Sequence, residues 1–156
     1  KMARENIRAL EEKNPDVIIS ACPTCTETLQ HYAELLHDDP EWGPKAEAMA
    51  KKVREFCSFV AEAYEKRGRL KKGKGGPKVT YHDSCHMKRF LGIEKEPRRL
   101  LEAAGCELVE MKDADKCCGM SGIFGVKYTE LSMPILEQKI ACIRETGAEI
   151  AAALES

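Results

Sequence analysis

Two adjacent cysteines followed by a glycine, Cys117-Cys118-Gly119, constrain this chain more than any other stretch. Side chains of neighbouring residues diverge, so both sulfurs face one point only in a tight loop. Glycines at 119, 122 and 125 permit that loop through left-handed backbone and close approach to something bulky. A thiolate-bound metal or cluster is the natural occupant. The question is then whether other cysteines fall where such a site needs them.

Eight cysteines are many for 156 residues. A disulfide scaffold suits a short secreted chain. This one is longer, rich in Lys and Glu and patterned as helix, with no signal-peptide core and no apolar run long enough to span a bilayer. The pattern points to a reduced cytosolic protein with ligating cysteines. A formal charge of −1, 25 basic against 26 acidic residues, gives no global case for nucleic acid. A hydrophobic content of 43% allows a packed core. No G-x-G-x-x-G follows a strand, no phosphate-cradling G-x-x-x-x-G-K-[ST] occurs, and no Ser/His/Asp arrangement is evident.

Taken in order, residues 1–13 read as a helix with Ala3, Ile7 and Leu10 on one face, stopped at Asn14-Pro15. Asp16 to Ala21 is a continuous apolar run, read as a parallel strand buried on both faces. It delivers Cys22-Pro23-Thr24-Cys25 at its carboxyl end, where open α/β sheets place their ligands. Thr24 and Glu27 suggest a capping box for a helix with Leu29, Tyr32, Ala33 and Leu36 inward. Cys25 then lies in the first turn, where the helix dipole is expected to lower a thiol pKa. Residues 43–64 read as one helix with a stripe from Ala46 to Ala63, and Cys57 beside it as core. Residues 66–78 carry seven basic residues and four glycines, read as a solvated, flexible connection, with a contact for an acidic partner or for anionic lipid head groups as the alternative. Without interleaved aromatics they make a weak case for nucleic acid.

A strand over 78–82 leads into Asp83-Ser84-Cys85-His86, again with a cysteine at a carboxyl end. Pro97 suits the start of a helix ending before Gly105. Residues 106–110 read as a strand, with Cys106 in the core. A long helix over 129–146 is expected to turn Leu131, Ile135, Leu136, Ile140 and Ile143 inward, with Cys142 also in the core. A last strand starts at Ala148.

The chain repeats itself. Asn6 through Val17 matches Lys139 through Ile150 at a constant offset of 133: helix, turn, acidic residue, apolar strand. Where the first copy has Cys22, the second has Glu155. Residues 151–156 resemble the translated tail of a cloning site. The expected organisation is residues 1–38 as the C-terminal part of a first module, 39–76 as connecting helix and basic Gly-rich linker, and 77–150 as a second module.

The order C-x31-C-C-G from Cys85, with 35 residues from Met120 to Leu154 before the position of a missing cysteine, resembles the cysteine-rich CCG domain family. That family occurs as tandem modules in the cysteine-rich subunit of heterodisulfide reductase and in iron–sulfur subunits acting in glycolate, L-lactate and glycerol 3-phosphate oxidation. The matching residues are Cys22 and Cys25 for the end of one module, and Cys85, Cys117, Cys118 and Gly119 for the next. The resemblance implies an α/β fold, in three-layer Rossmann-like modules with a short, mostly parallel sheet and flanking helices. It also implies a [4Fe–4S]-type cluster held by these cysteines where the loops of both modules meet. Partners implied are a flavin-containing dehydrogenase subunit, a ferredoxin-like iron–sulfur domain, and a quinone or disulfide acceptor. The implied location is the cytoplasm, free or peripheral at the inner face of the membrane. Each module here lacks part of its ligand set, so the chain alone is expected not to hold a cluster stably.

Two other readings stay open. His82 and His86 flank Cys85 and, with the cysteines, supply donors for a zinc-stabilised structural or interaction module. A thiol–disulfide enzyme built on Cys22-x-x-Cys25 is weaker, because it leaves Cys85, Cys117 and Cys118 without a role.

Overall fold

A computed structural model of the chain describes residues 1–120 and 122–154. The apolar face of the first helix, α1 (Met2–Glu11), buries Ala3 and Ile7. The chain leaves α1 through Asn14, whose φ of 41° is left-handed, and enters strand β1 (Ile18–Ser20). Helix α2 (Pro23–Leu35) follows. It begins as proline at the first helical position predicts, but its cap is not the expected Thr24–Glu27 box. The N-cap is Cys22, whose sulfur accepts the Cys25 N–H. Tyr32 from α2, Ala3 and Ile7 from α1, and Trp42, Ala46 and Met49 from helix α3 (Trp42–Ala50) form one apolar core. Trp42 offers its ring to Arg4, Arg8 and Lys45 at 5.9, 5.6 and 4.6 Å, cation–π contacts that let it stay at the rim of that core.

The single helix expected over residues 43–64 is three elements. After α3 the chain forms strand β2 (Val53–Glu55), then helix α4 (Phe56–Lys66). Val53, Arg54 and Glu55 pair in parallel with Ile18, Ile19 and Ser20. Both Val53 and Glu55 are buried. Glu55 also ends the strand, because its carboxylate accepts the Cys57 and Ser58 N–H groups and so caps α4. Spacing in threes and fours cannot reveal a three-residue strand lying between two helices that keep the same stripe. This strand falls within the 39–76 stretch read as a connector. Ile19 is exposed, so β1 is covered on one face, not on both as its apolar run suggests.

The basic segment is not a free tether. Gly73 donates to Glu102 O and Gly76 to Gly105 O, and Lys72 reaches the Glu102 carboxylate. A Cβ on Gly73 would lie 2.6 Å from Gly105 Cα, and one on Gly76 2.8 Å from Gly105 O. Glycine is required at both positions because backbone packs directly on backbone.

The second sheet has β3 (Lys78–His82) at its centre, β4 (Glu107–Leu108) on one side and β5 (Ile150–Ala153) on the other, all parallel. The α/β reading therefore holds: short parallel sheets flanked by helices. Helix α5 (Lys95–Ala103) connects towards β4 through Gly105 at φ 95°. Helix α6 (Gly122–Lys127) and helix α7 (Thr129–Glu145) precede β5. Residues 151–153 stand in register with Thr80, Tyr81 and His82. The 133-residue repeat is visible in the backbone: α1 and α7 lead to β1 and β5, and the turns between them carry left-handed Asn14 and Gly147.

Cys57 is buried, as expected for a core thiol. Burial, with the Glu55 carboxylate adding to it, pushes this thiol up to about 12. The unfolded thiol titrates near 9.0, so the folded state favours the neutral form. Its contribution to stability is complete below pH 9 and is lost as pH rises towards 12. We therefore expect Cys57→Ala to be less sensitive than the native chain to alkaline unfolding between those values, measured by denaturant midpoints across the range.

Candidate functional site

Three cysteine-bearing turns lie beyond the carboxyl ends of strands. Cys22 follows the carboxyl end of β1. Cys85 follows the carboxyl end of β3, and a five-residue π-helical turn, His86–Phe90, begins directly after it. Cys117 and Cys118 sit in the loop between β4 and α6. The first two turns meet, because α2 packs on the π-helical turn. There Glu27 Oε2 lies 3.9 Å from His86 Nδ1, and the His86 ring stacks on Phe90 at 5.2 Å.

The third turn is tied to the second by the Lys88–Asp115 ion pair at 3.3 Å and by one shared carbonyl. Ala114 O accepts three donors: His82 Nδ1 at 2.9 Å, the Asp83 N–H at 3.1 Å and Lys139 Nζ at 3.2 Å. Lys139 also donates to Asp113 O at 2.6 Å. Asp113 is left-handed at φ 57°. The root of the double-cysteine loop is thereby fastened to the end of β3 and to α7. Farther along, Ser132 on α7 donates to Gly119 O at 2.7 Å. Gly119 has φ 80°, and a Cβ there would lie 2.6 Å from Ser132 O. Only glycine lets the loop rest on the helix this closely.

Backbone N–H groups point at sulfur in two of the turns. Cys22 Sγ accepts from Cys25 N at 3.2 Å, and Cys117 Sγ from Gly119 N at 3.3 Å. Such bonds stabilise anionic sulfur and tune any metal it holds. The expectation for Cys25 needs correcting. Its pKa is raised, not lowered, chiefly by the hydrogen bond with the Cys22 side chain and then by burial. Around the second turn, Arg98 holds the buried Asp83 with Nη1–Oδ1 at 2.6 Å and Nη2–Oδ2 at 2.8 Å. The same guanidinium grips Glu110 through Nε at 2.6 Å. Asp83 first and Glu110 second hold the Arg98 pKa above its usual value. This fork spans β3, α5 and the segment after β4, and fixes the Asp83-Ser84-Cys85 approach.

The donor chemistry fits an iron–sulfur group or zinc, since soft thiolates select these. Among the described residues, no three His, Cys, Asp or Glu side chains come together as a ready-made metal site. Helix α2, which begins after Cys22, packs on the π-helical turn that follows Cys85, and the loop of Cys117 and Cys118 is joined to the Cys85 side through the Ala114 tie and the Lys88–Asp115 ion pair at 3.3 Å. His82 is buried with Nδ1 on a carbonyl, an orientation shared by structural histidines and by ligating ones. Ser121, inside the glycine-rich loop, and Glu155, at the expected cysteine position of the second copy, lie outside the described residues.

Helix α7 corrects the predicted inward face. Leu131 is 62% exposed, while Ser132 and Lys139 are buried. Ile135, Leu136, Ile140 and Ile143 are half-buried. Cys106 and Cys142, expected in the core, are half-buried too. Cys142 lines a groove of about 360 Å³ with Cys117, Lys116, Ile135 and Lys139. The sequence did hold a signal for Lys139 and Ser132. Both fall on the helical stripe of Ile135, Leu136 and Ile143, and a polar residue on such a stripe has a specific bond to make.

The profile of the cysteine-rich domain termed CCG matches residues 1–30 and 79–155. The chain is 38% identical over 150 residues to the probable glycolate oxidase iron-sulfur subunit of Bacillus subtilis (strain 168), covering 95% of this chain and 33% of that protein. It is 35% identical to lactate utilization protein A of Exiguobacterium sp. (strain ATCC BAA-1283 / AT1b), covering 96% of this chain and 61% of the other. The lactate utilization protein A of Bacillus subtilis (strain 168) is also 35% identical, over 88% of this chain and 58% of its own length. The chain thus spans between a third and about three fifths of these relatives.

Two substitutions test this geometry. Arg98→Met strands the Asp83 carboxylate, which is only 2% exposed. Removing one partner of a buried ion pair typically costs about 3–5 kcal/mol, and urea unfolding should show a loss of that order. Lys139→Met removes charge-assisted bonds worth about 1.5–3 kcal/mol each. Amide exchange of residues 113–119 should then accelerate by at least about tenfold, with Lys139→Arg restoring part of the protection.

Proposed function

From the premise that this chain belongs to the cysteine-rich CCG domain family, we propose that it is part of the iron–sulfur electron-transfer subunit of a multi-subunit oxidoreductase. One observation carries the reading. Thiol-bearing turns follow the carboxyl ends of parallel strands in both sheets, Cys22 after β1 and Cys85 after β3, and the two parts of the chain meet where α2 packs on the π-helical turn that follows Cys85. The names of the relatives, a glycolate oxidase iron-sulfur subunit and lactate utilization proteins, support a partner dehydrogenase acting on a small 2-hydroxy acid. In this reading Cys22, Cys25, Cys85, Cys117 and Cys118 are the ligand thiolates, and Gly119 lets the last pair approach. A [4Fe–4S]-type cluster, when bound, supplies one-electron acceptance and donation between a flavin-bearing subunit or ferredoxin-like domain and a quinone or disulfide acceptor.

The chain's own residues hold and orient. Arg98 and Asp83 set the Cys85 turn. Lys139 and Ser132 set the double-cysteine loop, and the N–H groups of Cys25 and Gly119 face anionic sulfur. Among the described residues no three of these side chains come together as a ready-made metal site, so the chain by itself should hold iron weakly. Among the described residues no helix is long and apolar enough to cross a membrane.

Anaerobic reconstitution with ferrous iron and sulfide tests this. The native chain should take up both in similar amounts, with visible sulfur-to-iron absorption that a chelator removes quickly. The Cys117→Ser/Cys118→Ser double variant should take up neither. Zinc retained without sulfide, and insensitive to that double substitution, would count against the reading and favour a structural zinc module.

A further inference from the structure

Residues 66–78 contain seven basic side chains and no acidic one. With 25 basic residues in the whole chain, 18 remain elsewhere against all 26 acidic ones. The molecule is therefore a positive loop on a negative body. Three of the seven are already committed: Lys66 to Glu62, Lys72 to Glu102, and Lys78 at 4.0 Å to Glu107. Arg67, Arg69, Lys71 and Lys74 are exposed and, among the described residues, form no ion pair. The end of α4 places Arg67 and Arg69, through the Arg69 N–H to Tyr64 O, and the packing of Gly73 and Gly76 on the Gly105 turn places Lys74. A flexible tether would spread this charge; a docked loop concentrates it.

We infer that this loop is an electrostatic docking surface for an anionic lipid bilayer. The composition decides between kinds of partner. Protein interfaces are anchored by aromatic and arginine side chains in desolvated pockets and are depleted in lysine. This loop has no aromatic residue, and its one large apolar side chain, Leu70, is half-buried. Clustered cations without an apolar anchor suit the diffuse negative potential of a bilayer, where each contributes about as much as its neighbours. The loop lies at the amino end of β3, and Cys85 leaves the opposite end, roughly 16 Å of strand away. Docking here would turn the Cys85 end away from the lipid, leaving it open to a soluble partner. The inference stands on charge and placement and does not depend on what the cysteines bind.

Sedimentation of the full chain with vesicles tests it, using phosphatidylcholine alone and phosphatidylcholine containing about one third phosphatidylglycerol. The native chain should bind only the anionic vesicles, release at high salt, and be unaffected by millimolar inorganic phosphate. The quadruple variant Arg67→Gln/Arg69→Gln/Lys71→Gln/Lys74→Gln should bind at least about a hundredfold more weakly with an unchanged melting temperature. Should that variant misfold, Lys71→Gln/Lys74→Gln should show an intermediate loss. Equal binding by native chain and variants, binding to neutral vesicles, displacement by phosphate, or capture by duplex DNA with none by anionic vesicles would each overturn the inference.

Discussion

A single backbone carbonyl organises this molecule. Ala114 O receives a ring nitrogen from His82, the N–H of Asp83 and the ammonium of Lys139. It works beside the Lys88–Asp115 ion pair, the Arg98–Glu110 contact and the Ser132–Gly119 bond. With it, the end of β3, the double-cysteine loop and α7 share one junction. Lys139 is 5% exposed and makes its bonds to carbonyls rather than to a carboxylate. A buried ammonium is costly unless hydrogen-bonded, so this position is strongly specified.

The rest of the fold rests on the same economy of short backbone approaches. Gly119 meets Ser132, Gly73 and Gly76 meet Gly105, and in each case a Cβ would collide with main chain. The Asp83–Arg98–Glu110 fork then fixes the strand end from the other side. Rigid elements and fixed turns are what an electron-carrying site needs, because a thiolate set must keep its geometry through a change of charge.

Much of this was legible in the sequence. Strand ends carrying Cys22 and Cys85, the Pro97 helix, Gly105 and the 133-residue repeat follow from periodicity and turn chemistry. What was missed has physical reasons. Strand β2 hid inside an unbroken stripe of threes and fours. Its assignment depends on pairing with β1, a partner more than thirty residues away in sequence. The cap of α2 is a sulfur, outside the usual oxygen caps. The basic segment looked solvated because the glycines that bind it to Gly105 are the residues that normally signal freedom. Lys139 reads as a surface lysine until the carbonyls it serves are in view. The Cys25 thiol is governed by the Cys22 sulfur three residues before it, a local contact that helix position alone does not supply.

The central claim is that the cysteine turns of the two halves form one sulfur site for iron. X-ray absorption at the iron edge of the anaerobically reconstituted chain measures this directly. The account predicts a first shell of sulfur alone, with a second shell of iron. A first shell containing imidazole nitrogen, or iron surrounded by oxygen with no neighbouring iron, would contradict it.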